Sequence, residues 1–444
     1  MRTFLSIVVG LCFGVVLGVL FLYGVKYVKQ NIQNDTAGKV EAKVTEQIAQ
    51  VQNIFQKKDT DKNHYFIQPV ESNNEGSSRV VYADLGAMKI MLYENGEQVS
   101  EYPIQSIGRE RTAWQTPIGN FNINYKVANH FSSIGEVYMP WSMQFFGNYF
   151  IHGWPYYPDG TPVKEGYSGG CIRMETLDAK SVYDFIGTKT QLIVLNSENE
   201  ITTPDEFEYS IKEIAPSLNS NFIIADVSTG EVLAANNQKT AIKDSSFSKL
   251  MTGIISLESV NQYKDVDFEG RIMQVSDVLY PLILADSDTA EEFLFDFKNK
   301  NWFLSDMNTR AKSIGMLNTT YENPAGEVFG STTLEDTFRL IQYINHYKPF
   351  LIDVLNLTQY SKNEILIKSV YPLHDITGYV SGFSNKAETE AITIIRIEFA
   401  TEKDSKIESG NPQKTFAILV AGDTPVVEDT RRLVEWVKKS VSLK

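Results

Sequence analysis

Two short stretches hold residues that could do covalent chemistry. Ile151-His152-Gly153 carries a histidine, and Tyr167-Ser168-Gly169-Gly170-Cys171-Ile172-Arg173-Met174 carries a cysteine in a glycine-rich turn. The chain has two cysteines, Cys12 and Cys171, and Cys12 lies in a long apolar run, so Cys171 has no disulfide partner in the rest of the chain. A cysteine nucleophile needs a base to make thiolate and donors to hold the oxyanion. His152 is the candidate base. Gly169 and Gly170 leave the backbone N–H groups before Cys171 unobstructed, which makes a candidate oxyanion site. Taken alone, Gly-Gly-Cys fits a buried structural cysteine in a glycine turn equally well.

A second candidate is Ser246-Phe247-Ser248-Lys249, an S-x-x-K tetrad opening a predicted helix over 246–258. One helical turn would put Lys249 beside the Ser246 hydroxyl, as an acylating serine requires. Such tetrads also arise by chance in long chains. The five histidines (His64, His130, His152, His346 and His374) are scattered, with no pair at i, i+3 or i, i+4. No His/Cys cluster has zinc spacing, so neither metal nor cofactor is expected.

These residues sit in a chain of 444 residues, room for about two or three domains. Hydrophobic residues are 43% and charged residues 22%, a globular balance. The net charge is -14, which disfavours nucleic acid as a partner. Residues 79–198 read as β-rich. A hairpin is expected around Asn95-Gly96, with further strands at 121–125, 149–152 and 191–195. Only 177–186 has helical periodicity there. An acidic connector, 199–216, leads to residues 217–444, where strands and helices alternate. Strands are expected at 222–226, 231–235, 392–399 and 416–421.

The cysteine region resembles the catalytic domain of the L,D-transpeptidases. That family's motif is His, 14 to 17 residues, Ser/Thr, usually His, Gly, Cys, an aliphatic residue, then Arg or Asn. Here 15 residues separate His152 from Ser168, and Gly170, Cys171, Ile172 and Arg173 follow in place. Thr116-Pro117-Ile118-Gly119-Asn120-Phe121 and Met139-Pro140-Trp141-Ser142-Met143 are similar to two more family stretches. One position departs: the second histidine is Gly169. The base role belongs to the earlier histidine, His152, so the nucleophile–base pair is retained. The resemblance implies that Cys171 attacks the amide before the terminal D-Ala of a peptidoglycan tetrapeptide stem. A second stem's side-chain amine would then take the acyl group, giving a 3→3 cross-link; water would give L,D-carboxypeptidation. Gly153 and Ser168 would orient the imidazole. Arg173 would support the loop, meet a substrate carboxylate or form a structural salt bridge. Carbapenems are the β-lactams this family typically accepts.

The second region resembles the low-molecular-mass D,D-carboxypeptidases, the penicillin-binding serine peptidases. Ile224-Ala225-Asp226-Val227-Ser228-Thr229-Gly230, Ser246 to Thr252, Met307 to Thr319 and Asn323-Pro324-Ala325-Gly326 carry that likeness. The other two motifs fail. Where Ser-x-Asn is expected stand Asp286, Ser287 and Asp288. Where Lys-Thr-Gly is expected stand Ile376-Thr377-Gly378 or Val380-Ser381-Gly382, without the lysine. A substrate carboxylate would find repulsion there. Ser246 and Lys249 are therefore expected to be inactive, although both persist.

Phe4 to Val25 carries no charge and, as a helix, would span about 33 Å, enough to cross a bilayer core. Lys26 and Lys29 follow, without a small-residue cleavage site, so residues 1–26 are expected to be an uncleaved transmembrane anchor. Residues 27–78 read as a polar stalk, with Val40, Val44, Ile48, Val51 and Phe55 on one helical stripe that could pair with a second copy.

The expected architecture is multidomain: a single N-terminal transmembrane helix, a β-rich L,D-transpeptidase domain and an α+β serine β-lactamase/D,D-peptidase-like domain. The expected location is a bacterial cell membrane, with both domains outside the cytoplasm and stem peptides as partner. Two alternatives remain: a bifunctional enzyme in which the serine site also trims stems, and a non-catalytic wall-binding scaffold.

Overall fold

The computed structural model describes residues 79–197, except 111 and 113, and 208–443, except 244, 298, 323–329, 363–364 and 400–411. The expected anchor (1–26), the stalk (27–78), residues 199–207 of the connector and the Asn323 to Gly326 motif lie outside the described residues. Among the described residues no helix is long and apolar enough to cross a membrane. Residues 79–93 and 99–443 belong to one compact unit.

Residues 79–197 build two sheets. The strands are β1 (Arg79–Asp84), β2 (Lys89–Glu94), β3 (Glu97–Pro103), β4 (Gly119–Asn122), β5 (Tyr125–Ser132), β6 (Val137–Phe146), β7 (Tyr149–His152), β8 (Ile172–Arg173) and β9 (Gln191–Leu195). One sheet has the order β3-β2-β1-β9-β4 and the other β5-β6-β7-β8. Asn95 and Gly96 both take positive φ, 55° and 83°, as a tight hairpin turn needs. β9 is covered on both faces, which explains its unbroken Leu-Ile-Val-Leu run. The helix α1 (Thr176–Phe185) buries Ala179 and Val182.

The expected strand over 121–125 is split: β4 ends at Asn122 and β5 begins at Tyr125. Asn124 turns the chain there, its N–H donating to Gln144 O and its side-chain nitrogen to Phe145 O. The long β5–β6 hairpin has no counterpart in the sequence reading. β5 has no buried residue, so it lacks apolar alternation, and Pro140 in the β6 sequence argues against a strand although β6 runs through it.

Residues 208–443 are built on an antiparallel sheet of β11 (Asn221–Asp226), β12 (Val232–Asn236), β20 (Tyr379–Ser384), β21 (Glu390–Glu398) and β22 (Gln413–Ala421), in the order β12-β11-β22-β21-β20. β10 (Tyr209–Ile211) pairs with the last strand, β23 (Val441–Leu443). Small sheets join β13 (Ile242–Lys243) and β16 (Thr320–Tyr321) to β17 (Gly330–Thr332), β14 (Asp265–Phe268) to β15 (Arg271–Gln274), and β18 (Gln359–Lys362) to β19 (Ile365–Lys368). The helices are α2 (Ser248–Ser259), α3 (Val275–Leu284), α4 (Asp288–Asp296), α5 (Lys300–Ser313), α6 (Leu334–Tyr347), α7 (Pro349–Leu355) and α8 (Val427–Ser440).

α2 is buried almost all round and starts two residues later than expected, leaving Ser246 in the preceding turn. α8 lays Leu433, Val434, Trp436 and Val437 into a cluster with Phe222, Phe416 and Ile418 of the sheet. A larger cluster runs through both regions. It takes in Phe121, Phe145 and Phe146 from the first, and Ile255, Met307 and Ile314 from the second.

Candidate active site

Parallel pairing of β7 with β8 sets Ile151 against Ile172 and His152 against Arg173. Cys171 immediately precedes β8, so the two strands bring the cysteine turn alongside the strand that ends in His152. Residues 19 positions apart in the chain are thus brought to neighbouring segments, His152 at the end of β7 and Cys171 in the turn just before β8.

The turn before Cys171 is tied from several sides. Ser168 N–H donates to Ile107 O at 2.9 Å. Thr116 Oγ1 takes the Gly108 N–H and donates to Gly170 O, both at 2.9 Å. Gly170 has φ 102°, and a Cβ there would fall 2.3 Å from the Tyr149 ring and 3.0 Å from Trp114 O, so only glycine fits. Gly169 differs: nothing lies within 4 Å of a Cβ at that position. The absent family histidine therefore leaves open space, not a filled site.

His152 is 1% exposed. Its Nδ1 lies 2.6 Å from Gly153 O. A carbonyl only accepts, so Nδ1 carries the proton and Nε2 has the free lone pair. Burial pushes the imidazole from 6.5 down to about 4. The bond to Gly153 opposes that, while Arg173 and His130 add to it. Burial pushes the Cys171 thiol up to about 11, against the pull of the Phe150 N–H and Arg173. The resting pair is thus neutral thiol and neutral imidazole, suited to proton transfer during attack rather than to a preformed ion pair.

Two expected roles are corrected. Ser168 does not orient the imidazole: its hydroxyl donates to Cys171 O at 2.5 Å and accepts from Gly170 N–H at 3.0 Å. That second bond also occupies the Gly170 N–H expected to serve the oxyanion. Arg173 makes no ion pair among the described residues, so the salt-bridge alternative is not met. Its guanidinium lies 5.9 Å from the Trp154 ring centroid, and its buried Nε has no hydrogen-bond partner. A cation left so beside the thiol can receive substrate charge. Residues that sequence reasoning missed are Thr116 as the brace of the turn, Tyr149 as its packing partner, and Asn148, whose carbonyl faces the thiol at 3.7 Å.

The depressed imidazole predicts acid sensitivity. Unfolded, His152 titrates near 6.5, and folded, near 4. Between those values the unfolded chain binds more protons. This contribution is therefore complete above pH 6.5 and falls as pH drops toward 4. At 1.36 kcal/mol per pH unit, about 2 to 3 kcal/mol is lost by pH 4.5. Glu291 and Glu390, raised to about 7 by burial, act with the opposite sign over the same range. The comparison is thus between wild type and His152→Gln. Denaturant unfolding at pH 7 and 4.5 should show the variant less acid-sensitive by that amount, and equal acid losses would contradict the buried neutral imidazole.

The second candidate looks different. Lys249 Nζ bonds Asp286 Oδ1 and Asp288 Oδ1, both at 2.7 Å. Burial pushes the ammonium down, but Asp286, Asp288 and Glu291 outweigh it and hold its pKa above the ordinary value. It is a fixed cation, not the base beside Ser246 that the tetrad suggested. The carboxylate of Glu390 takes the backbone N–H groups of Ser246 and Phe247. Of the two Lys-Thr-Gly candidates, Val380-Ser381-Gly382 lies on β20, and Ile376-Thr377-Gly378 precedes it.

The site thus joins a histidine ending β7 to a cysteine in the turn that enters β8, with Thr116 and Ser168 bracing that turn. Residues 78–194 match the YkuD family, the L,D-transpeptidase catalytic domain. The match points to an L,D-transpeptidase-type peptidoglycan enzyme in this region. No curated protein matches the chain. Among solved structures, Penicillin-Binding Protein D2 from Listeria monocytogenes, in its ampicillin-bound form, is 21% identical over 50% of this chain and 99% of that one, with a TM-score of 0.42. A D-alanyl-D-alanine carboxypeptidase from Mycobacterium tuberculosis is 19% identical over 51% of this chain and 93% of its own, at 0.41. Penicillin binding protein 6B from Escherichia coli is 18% identical over 51% and 81%, at 0.41.

Proposed function

We propose that the chain is a membrane-anchored L,D-transpeptidase, acting outside the cytoplasm, that forms 3→3 peptidoglycan cross-links through a Cys171 thioester. The observation that carries this reading is the His152 tautomer. Nδ1 is fixed on Gly153 O, which leaves Nε2 as proton acceptor on the strand beside the cysteine turn.

In the first half-reaction, Cys171 Sγ attacks the carbonyl carbon of the amide between the third stem residue and D-Ala. Its proton passes to His152 Nε2. When the tetrahedral adduct collapses, the C–N bond breaks and His152 returns that proton to the departing D-Ala amine. The thioester remains. In the second half, the side-chain amine of another stem's third residue attacks it. His152 takes the amine proton and hands it to Sγ as the C–S bond breaks. Water in place of the amine gives carboxypeptidation. Arg173, whose charge reaches the thiol, is the cation that would meet the developing charge. The anchor, residues 1–26, would hold the domain near its polymer, and the stalk, 27–78, would set its reach or pair with a second copy.

The test is mass analysis of the products from disaccharide-tetrapeptides incubated with the full chain. Cross-linked dimers with one D-Ala released per bond support the reading. Tripeptides alone would reduce it to L,D-carboxypeptidation, and no D-Ala release sinks it.

The Lys249 ion pairs argue that Ser246 does not acylate, which disfavours the bifunctional reading. Labelling with a fluorescent penicillin should leave Ser246 unmodified, because a base locked as ammonium cannot take the serine proton. Peptide mapping that places label on Ser246 would restore a second activity. The wall-binding scaffold is excluded if Cys171→Ala alters cross-link composition in cells.

A further inference from the structure

The loop that faces the thiol rests on the second region. Asn148 presents its carbonyl to Cys171 Sγ, and its Nδ2 donates to Ser259 O, at the end of α2, at 2.9 Å. Gly147 packs tighter still: at φ 46° its Cβ would lie 2.7 Å from Ser259 Oγ. Ser259 in turn donates to Asp306 of α5 at 3.1 Å.

One turn along α5 lies Arg310, wholly buried. Its Nε and Nη2 bond Glu258 Oε2 at 2.9 and 2.7 Å, and its Nη1 reaches Ile118 O of the L,D-transpeptidase domain at 3.0 Å. Glu258 is held further by Tyr343 Oη at 2.7 Å and Lys348 Nζ at 3.1 Å. The guanidinium lies 4.3 Å from the Phe146 ring centroid and 5.2 Å from that of Phe121. Phe121 stacks edge-on against Phe145, at 5.3 Å, and Phe145 packs on Tyr149, at 6.3 Å. Tyr149 is the ring for which Gly170 makes room, and its hydroxyl feels the charges of Glu258, Arg310 and Cys171 alike.

Stability alone does not call for such a network, since well-packed apolar residues do as well in place of buried ions. Paired buried ions can instead fix a geometry. We infer that Arg310 and Asn148 are positioning residues for the L,D-transpeptidase reaction. Through them the second region holds the Phe146–Tyr149 segment, and with it Cys171, in register with His152. This rests on the proposed function for the identity of the reaction, not for the geometry.

The test uses the full chain with two variants, Asn148→Ala and the charge-balanced double Glu258→Gln/Arg310→Met. Three quantities are read: the thermal transition, kcat and KM for D-Ala release from a tetrapeptide stem, and the alkylation rate of Cys171 by iodoacetamide. Displacing reacting groups by about 1 Å costs roughly 100-fold. The expected result is a kcat lowered by about 10- to 100-fold with KM unchanged, and an altered alkylation rate, in variants that still unfold cooperatively. Wild-type kcat and alkylation in a folded variant would overturn the inference. If the double variant does not fold, Asn148→Ala, which removes no buried charge, decides by the same readings. If the wild-type chain releases no D-Ala, the proposed function fails, and the alkylation rates alone decide the positioning.

Discussion

Cys171→Ala is expected to remove D-Ala release and cross-linking together while leaving the protein folded. In the proposed reaction the thiol holds the acyl chain, and both half-reactions pass through it. Its loss should cost roughly 10⁶-fold, the scale seen when a nucleophile acting as one unit with its base is deleted. His152→Gln should come close to the same loss. With the thiol raised to about 11, little thiolate exists at neutral pH without a proton acceptor. Because the two residues act as a unit, the double variant should be no worse than the worse single one. Rates for the three variants, with folding checked by circular dichroism, test this. A Cys171→Ala rate within a few fold of wild type would mean that another group carries the reaction.

Gly170→Ala is expected to be nearly as damaging, and Gly169→Ala close to silent, although the residues are neighbours. At Gly170 the added carbon meets the Tyr149 ring at 2.3 Å on a backbone with φ 102°. Tyr149 cannot yield easily, because it is buried among Phe145 and its neighbours. Strain and overpacking together should cost about 2 to 4 kcal/mol. The turn that carries Cys171 would shift, with a further loss of about 100-fold in kcat. At Gly169 the same carbon enters open space, and the change should stay within about 0.5 kcal/mol. Chemical denaturation and kcat for both variants decide it. Equal effects at the two positions would contradict the described turn.

The candidate pair could be proposed from the sequence because its spacing is local. His152, Ser168, Gly170, Cys171 and Arg173 lie within 22 consecutive residues, and the pairing of β7 with β8 sets their segments side by side. What Ser168 does was not legible. Motif position suggested the imidazole, yet a hydroxyl three residues before Cys171 O closes its own turn first, as Ser commonly does. The Asn-Gly hairpin could be read because its turn demands positive φ. The β5–β6 hairpin could not, because its first strand is exposed on both faces and leaves no alternation.

The second region shows the same contrast. S-x-x-K was visible, but its meaning depended on Asp286 and Asp288, about 40 positions away. Only the structure shows that they neutralise Lys249 instead of merely repelling a substrate. Arg310 was invisible for a related reason. The α5 sequence Lys-Asn-Trp-Phe-Leu-Ser-Asp-Met-Asn-Thr-Arg-Ala-Lys-Ser reads as a solvated helix, and an arginine in it as a surface charge. Its burial comes from a face of the first region that no local pattern announces.

In the proposed function Cys171 becomes the acyl-enzyme, with neutral His152 as its proton acceptor. The most direct measurement is intact mass followed by peptide mapping, after a brief acid-quenched incubation of the full chain with a tetrapeptide stem and no acceptor. One acyl-tripeptide adduct is expected, mapped to the peptide containing Cys171, with one D-Ala released per adduct and no adduct in His152→Gln. An adduct on Ser246, or D-Ala release with Cys171 unmodified in rapid-quench samples, would contradict it.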